Sequence, residues 1–155
     1  MSIQEEQFEK TANAFIESLE RYFNKLTKSN VETYAPYVKS PEELVLKECT
    51  GMIGIAGIKK GFIYISGDLA MFEEVIKTYV GYQNPQKNDM LDMAGELSNV
   101  VAGNVREVYG EEFLISVPVV FEGKPKNLHF PDEAPIYVIP MKWRSFEAFM
   151  VLSIQ

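Results

Sequence analysis

Apolar residues recur along the first 27 residues of the chain at alternating spacings of four and three. The positions are Phe8, Ala12, Phe15, Leu19, Tyr22 and Leu26. This spacing places one apolar stripe along a helix of about six to seven turns. The pattern therefore predicts a helix over residues 3–27. A partner-binding helix would carry a similar stripe, but packing onto the chain's own sheet is the commoner use of such a face.

The next segment changes from helical spacing to a composition typical of strands. "SPEELVLKECTGMIGIAGIKKGFIYISGD" predicts three short strands, the last two forming a hairpin around Lys59-Lys60-Gly61. "DLAMFEEVIKTYVG" predicts a second helix that Ser66 or Asp68 opens and Gly81 ends. The following "YQNPQKN" is predicted to be a loop.

A third helix is predicted over about residues 89–109, beginning at Asn88 or Asp89 and ending near Gly110. The rest of the chain is predicted to form strands, in the segments "FLISVPVVFEG", "KNLHF", "APIYVIPMKW" and "FEAFMVLSIQ". The order is helix, strands, two helices, strands. This order is typical of an α/β (α+β layered) fold, in which an antiparallel-rich sheet packs with three helices.

Size and composition indicate one globular domain over residues 1–155, large enough for a core without metals or disulfides. The 15 basic and 22 acidic residues give a net charge of −7, which argues against nucleic acid or an anionic membrane as the main partner. No run of 18 apolar residues occurs, and the polar start "MSIQEEQFEK" lacks a signal-peptide core. Since Cys49 is the one cysteine, these features together predict a cytoplasmic protein.

Four features could be mistaken for functional sites. The glycines of "GMIGIAG" resemble a nucleotide-binding loop, but they lie in strand-like sequence and open no helix, so we interpret them as a sheet bend. His129 is the only histidine, which leaves no histidine-based metal cluster or catalytic triad. Cys49 is predicted to be buried and inert, and Trp143 to lie in the core or an interface.

The third predicted helix carries an apolar stripe on one side and unusual residues on the other. The stripe consists of Met90, Ala94, Leu97, Val101, Val105 and Val108. The outer face carries Asp92, Glu96, Asn99, Gly103 and Arg106. Glu96 and Asn99 are three residues apart, so their side chains are neighbours.

Gly95 and Gly103 each cost about 1 kcal/mol relative to alanine in a helix. We interpret them as space for a close approach, since a merely solvated face would explain Asp92, Arg106 and Glu107 but not the glycines.

The run Asp92-x-x-x-Glu96-x-x-Asn99, followed by Gly103 and by Pro118 in "SVPVVFEG", resembles the signature of the CheX/CheC chemotaxis phosphatases. The glycine-marked strands before the second helix are similar to the first half of that family. The gap from Asn99 to Pro118 is slightly shorter than the family pattern. One copy of the Glu/Asn pair is visible, which resembles the CheX type. The resemblance implies a CheC-like fold, a single CheX-like phosphatase domain and a homodimer.

The resemblance also implies an activity, namely hydrolysis of the aspartyl phosphate of a CheY-type response regulator in chemotaxis or two-component signalling. Asn99 would position the attacking water, because a carboxamide both donates and accepts without adding negative charge beside a phosphoryl group. Glu96 would pair with a cation on the receiver, and Asp92, Gly103 and Arg106 would contact the partner. The protein would need no cofactor or metal of its own, since Mg²⁺ belongs to the receiver.

Two alternatives to this enzyme remain open. A non-catalytic CheX-like module could dock a receiver or a flagellar or signalling partner, whereas a small-ligand pocket protein has no positive feature in the sequence. For the homodimer, "APIYVIPMKW" and "FEAFMVLSIQ" are long, apolar and nearly free of the residues that protect an exposed edge. We expect these strands to form a continuous sheet between two copies, with cover by the first helix as the alternative.

Overall fold

The computed structural model describes residues 2–40, 45–126, 128 and 136–155, and its elements follow the predicted order. The helices are α1 (Ile3–Thr27), α2 (Leu69–Tyr79) and α3 (Lys87–Tyr109). The strands are β1 (Glu32–Thr33), β2 (Tyr37–Lys39), β3 (Cys49–Gly57), β4 (Gly61–Gly67), β5 (Phe113–Ile115), β6 (Val119–Glu122), β7 (Ile136–Trp143) and β8 (Phe146–Ile154).

The strands form one antiparallel sheet in the order β1-β7-β8-β4-β3-β5. In addition, β2 pairs with β7, and β6 pairs with β3. Strands β5 and β6 therefore follow one another along the same side of β3. The predicted fold class, three helices packed with an antiparallel-rich sheet, is confirmed.

The predicted hairpin around Lys59-Lys60-Gly61 is confirmed, since β3 and β4 pair in register from Cys49 opposite Gly67 to Ile55 opposite Gly61. The strand predicted before it is wrong for its described residues 45–48, which form no strand. Val45 and Leu46 pack instead against the sheet face that carries Tyr64, whose hydroxyl donates to the Val45 carbonyl at 2.7 Å.

Two short strands were not predicted, and one predicted strand is not found among its described residues. Strands β1 and β2 have two and three residues, too few to show a period, and were not predicted. Of the predicted strand "KNLHF", residues 126 and 128 are described and are not in a strand. The rest of that segment, His129 included, lies outside the described residues.

Helix α1 spans residues 3–27 as predicted, and the ends of the other two helices lie within two residues of the predicted ones. Helix α3 begins at Lys87 rather than at Asn88 or Asp89, because Asp89 accepts a hydrogen bond of 2.8 Å from the Gln86 N–H and so caps a turn that starts earlier. Helix α2 has Asp68 at its N-cap position, as predicted, but Glu48 accepts the hydrogen bond from the first helical N–H at 3.3 Å. Gly110 ends α3 as predicted.

The helices cover one face of the sheet, where the main core lies. Trp143 is fully buried there and donates from Nε1 to Ser29 Oγ at 2.8 Å, which confirms a core position. Cys49 is buried as predicted. Burial raises the pKa of its thiol to about 12, and the carboxylates of Glu122 and Glu48 add to the rise.

The expectation that the two C-terminal strands form an open edge is wrong. Strand β8 lies between β7 and β4 in the middle of the sheet, and β1 and β2 both pair with β7. These strands are long and apolar because they lie in the interior of the sheet. Their composition therefore indicates burial within the chain and not an interface between two copies. Two short strands that carry no sequence signal cover the edge of β7, and α1 covers its face, where Phe8 stacks on Tyr137.

Helix α3 contacts β3 through the backbone at Gly51. A Cβ on Gly51 would lie 2.5 Å from the carbonyl carbon of Ala94 and 2.7 Å from the nitrogen of Gly95. Ser98 Oγ donates to the carbonyl of Gly51 at 2.7 Å. The interpretation of Gly51 as part of a bend is therefore wrong, since it is required by the approach of a helix. Gly57, at φ +89°, does lie where β3 turns into the hairpin.

We expect Gly51→Ala to lower the free energy of unfolding by about 1–3 kcal/mol, because the new methyl meets backbone atoms that can move only if α3 moves. Gly54→Ala in the same strand is the control. Its Cβ would meet Ser116 at 3.5 Å from Oγ and 3.7 Å from Cβ, which are ordinary contacts. Urea denaturation, monitored by Trp143 fluorescence, measures the free energy of unfolding of both variants. Equal stability of the two variants would contradict the close contact between α3 and β3.

Candidate functional site

The buried side of α3 matches the predicted stripe over most of its length. Ala94, Leu97, Val101 and Val105 are buried. Val108, predicted to belong to the stripe, is 73% exposed. In the last turn Tyr109 takes the inward position instead: its hydroxyl lies 2.6 Å from Thr11 Oγ1, and its ring stacks on Phe113.

Three of the predicted site residues lie together on the outer side of α3. Asp92 and Glu96 are exposed and Asn99 is half-buried. Within the described ranges none of these three side chains makes a hydrogen bond or an ion pair with the chain. Two carboxylates and one carboxamide are therefore free to bind a molecule that approaches this face.

Glu96 lies near Tyr22 of α1, which in turn lies near Tyr79 of α2. Burial raises the pKa of Tyr22 in α1, and the charge of Glu96 and the nearby Tyr79 of α2 raise it further. The Tyr22 hydroxyl consequently stays protonated beside the carboxylate and remains a hydrogen-bond donor. Sequence reasoning missed this grouping, because Tyr22 belongs to the apolar stripe of α1 and nothing in the spacing relates it to residue 96.

A shallow groove of about 310 Å³ runs between α2 and the first half of α3. Its floor is apolar, since the lining residues Ile76 and Met93 are both buried. Its α3 side carries Asp89, Asp92 and Glu96. We call this depression the α2–α3 groove; Val80 and Tyr82 complete its lining on the α2 side. The groove could not be predicted from the pattern of a single element, because two helices build it.

The two glycines of α3 have different surroundings. Gly95 is buried, and a Cβ there would lie 2.7 Å from Cγ1 of Val120 and 3.4 Å from Cβ of Pro118. The close approach inferred at Gly95 is thus made by the chain's own β6 rather than by another molecule. Gly103 has no atom within 4 Å of an added Cβ, so space is open beside the helix there.

Pro118 lies just before β6 and borders the same side of α3 as Asn99, because Asn99 follows Gly95 by one helical turn. Arg106 is exposed, and its Nε donates to the carbonyl of Phe113 at 3.1 Å. The guanidinium of Arg106 therefore also has a structural role, holding the end of α3 beside β5.

Neither a metal site nor a membrane-spanning helix is found among the described residues. No group of three or more His, Cys, Asp or Glu side chains in these ranges could hold a metal ion. No helix there is long and apolar enough to cross a membrane.

We expect the two helix glycines to respond oppositely to alanine. Gly103→Ala should raise the free energy of unfolding by about 0.5–1 kcal/mol, because alanine is the better helix former and the space is open. Gly95→Ala should lower it by about 1–3 kcal/mol, because the methyl meets Val120 and Pro118. Thermal or urea denaturation measures both. A stabilised Gly95→Ala protein would show that β6 does not approach α3 as described.

A comparison with known proteins matches the chain to one family. A family model described as "Chemotaxis phosphatase CheX" matches residues 49–142, more than half of the chain, and the match includes all of α3. No curated protein matches the chain significantly.

Solved structures share the fold over nearly the whole chain. A chemotaxis protein CheX from Vibrio vulnificus has 24% identity and a TM-score of 0.80, covering 94% of this chain and 99% of that one. A CheX from Desulfovibrio desulfuricans has 22% identity and a TM-score of 0.78, covering 94% and 98%. The CheX in a CheX–CheY–BeF3–Mg²⁺ complex from Borrelia burgdorferi has 17% identity and a TM-score of 0.74, covering 94% and 97%. The match of the family model over β3, α3 and β7 shows that the chain belongs to the CheX family of chemotaxis phosphatases.

Proposed function

We propose that this protein accelerates hydrolysis of the aspartyl phosphate of a CheY-type response regulator. The observation that carries the proposal is the pair Glu96 and Asn99, accessible on α3 within the segment that matches the CheX family and without partners among the described residues. The complex of a CheX with CheY, BeF3 and Mg²⁺ from Borrelia burgdorferi, which shares the fold, supports the choice of partner.

Asn99 would position the water that attacks phosphorus. The water oxygen bonds to phosphorus, the bond from phosphorus to the aspartyl oxygen breaks, and inorganic phosphate and a free aspartate result. The water's protons end on phosphate or in the solvent. A carboxamide can accept from the water and donate to it while adding no negative charge beside the phosphoryl oxygens. The rate gain comes from placing the water in line with the bond that breaks.

Glu96 would bind a cation of the receiver. An exposed carboxylate gains little from such a pair in water, but it gains more when the bound receiver excludes solvent from it. Tyr22 lies near this carboxylate, whose charge helps to raise the pKa of the tyrosine. Asp92, Gly103 and Arg106 are proposed as further contacts with the receiver, with Gly103 leaving bare backbone one turn beyond Asn99. The Mg²⁺ of the reaction is expected in the receiver.

We infer further that the protein is a homodimer that extends the sheet at β5 and β6. Both strands pair only with β3 among the described strands, which leaves their other side open. Leu114, Val117 and Val119 along this edge are 49%, 79% and 58% exposed. An edge with exposed apolar side chains is readily covered by another strand.

Light scattering at micromolar concentration should give the mass of a dimer, and Val119→Lys should give a monomer, because a charged side chain disfavours edge pairing. Val38→Lys, in β2 and 60% exposed, is the matched control and should stay dimeric. A monomeric wild-type protein would exclude the homodimer. Dissociation of Val38→Lys instead would place the interface at the opposite side of the sheet.

Asn99→Ala should slow single-turnover decay of the phosphorylated receiver by about 100-fold, equivalent to about 3 kcal/mol, the usual cost of one well-placed polar group at a transition state. Asn99→Asp should be no faster, because its carboxylate repels the phosphoryl oxygens. Glu96→Ala should lose rate and also bind the receiver more weakly. Decay of phosphate-labelled receiver and a binding isotherm for each variant provide the measurements.

Glu107→Ala is the control, since Glu107 is an exposed carboxylate on the same helix outside the proposed site. It should keep wild-type turnover and binding. Treating the dialysed phosphatase with chelator before it is mixed with Mg²⁺-loaded receiver should leave the rate of receiver dephosphorylation unchanged. Near-normal turnover of Asn99→Ala would exclude the water-positioning mechanism. A wild-type protein that binds the receiver without speeding its decay would establish the non-catalytic module instead.

A further inference from the structure

We propose that the α2–α3 groove is the surface by which this protein selects its receiver. The occupant is a segment of the receiver that carries an aliphatic or aromatic side chain next to a lysine or arginine. The proposal rests on the proposed function, because it assigns the partner segment that lies beside the phosphoryl group when Asn99 and Glu96 act.

The α2 side of the groove concentrates exposed apolar side chains. Val80 and Tyr82, which line the groove, are 60% and 48% exposed, and Tyr79, next to Val80 in the chain, is 53% exposed. Single exposed apolar residues are common on protein surfaces, but a cluster at the rim of a depression with an apolar floor is typical of a surface that another molecule covers. This cluster favours an occupant with an apolar side chain.

The α3 side of the groove selects for positive charge. Asp89, Asp92 and Glu96 line it, and no lysine or arginine is among the lining residues. Asp89 already accepts a hydrogen bond from the Gln86 N–H, whereas Asp92 and Glu96 have no partner among the described residues. Covering these two carboxylates with a neutral or acidic segment would desolvate them without compensation. A lysine or arginine satisfies them and packs its methylene stem on the apolar floor.

The groove is continuous with the proposed catalytic pair, because Glu96 belongs to both. From Glu96 to Asp89 is seven residues of helix, or roughly 10 Å. A receiver that presents a phosphoryl group to Asn99 must therefore cover the groove at the same time, with a part of its surface next to the phosphorylated aspartate. Groove contacts lie beside the reacting atoms and not on them, so they should affect binding more than the chemical step.

The test compares two groove variants, Tyr82→Ser and Val80→Ser, with two controls of equal exposure at the edge of the sheet beside β7. Tyr34→Ser matches Tyr82 at 48% exposure, and Val38→Ser matches Val80 at 60%. The probe is a CheY receiver domain carrying Mg²⁺ and BeF3⁻, a stable mimic of the phosphoryl group, for binding. The same receiver labelled with phosphate is used for turnover.

Each groove variant should raise Kd and KM about fivefold or more, as expected for an apolar anchor, and leave the maximal rate within twofold. The two controls should change neither quantity by more than twofold. Raising NaCl from about 50 to 500 mM should weaken binding of the wild type more than binding of Asp92→Asn, because part of the attraction is ionic.

The outcomes separate the two proposals. Wild-type turnover with unchanged Kd and KM in both groove variants would overturn the proposed role of the groove and leave the proposed phosphatase function intact. A fall in the maximal rate at unchanged KM would also overturn it, since the groove would then act on chemistry. If the wild type binds the receiver but does not accelerate its decay, the phosphatase function fails, and the Kd values still decide whether the groove is the docking surface.

Discussion

The contact between α3 and β3 at Gly51 is the constraint on which the rest of the site depends. Because Gly51 has no side chain, the backbone of α3 at Ala94 and Gly95 lies directly on the strand. The hydroxyl of Ser98, buried one turn later, donates to the carbonyl of Gly51. A buried hydroxyl without this bond would cost about 1–3 kcal/mol, so the bond fixes which side of α3 faces the sheet.

With the rotation of α3 fixed, the positions of the site residues follow. Gly95 faces Val120 and Pro118, which places the loop before β6 along the Asn99 side of the helix. Glu96, at the next position along the helix, lines the α2–α3 groove and lies near Tyr22 of α1. The carboxamide and the carboxylate therefore have different neighbours although they are one turn apart, consistent with different proposed roles.

The fold and the chemistry depend on different residues of the same helix. The inward residues hold α3 on the sheet and would be needed in any protein with this architecture, whatever it binds. Of the outward residues, Asp92, Glu96 and Asn99 make no hydrogen bond or ion pair with the described part of the chain, whereas Arg106 donates to the carbonyl of Phe113. Structures at 24% identity or less share the architecture, so the fold alone does not decide between a phosphatase and a docking module. The two outward polar residues are the basis for proposing the enzyme.

The sequence by itself determined the elements that have enough residues to show a period, namely the three helices and the long strands, and it located Glu96 and Asn99 as neighbours on one helix face. Local geometry suffices for these, because residues three apart on a helix are adjacent whatever the fold.

Only the tertiary structure decided which strands are interior, since β1 and β2 are too short for any pattern. It also decided that Gly51 and Gly95 accommodate the chain's own backbone and side chains, and it brought Tyr22 and the end of α2 beside Glu96. Those facts depend on contacts between residues that are distant in the chain. The periodicity within one element carries no information about such contacts.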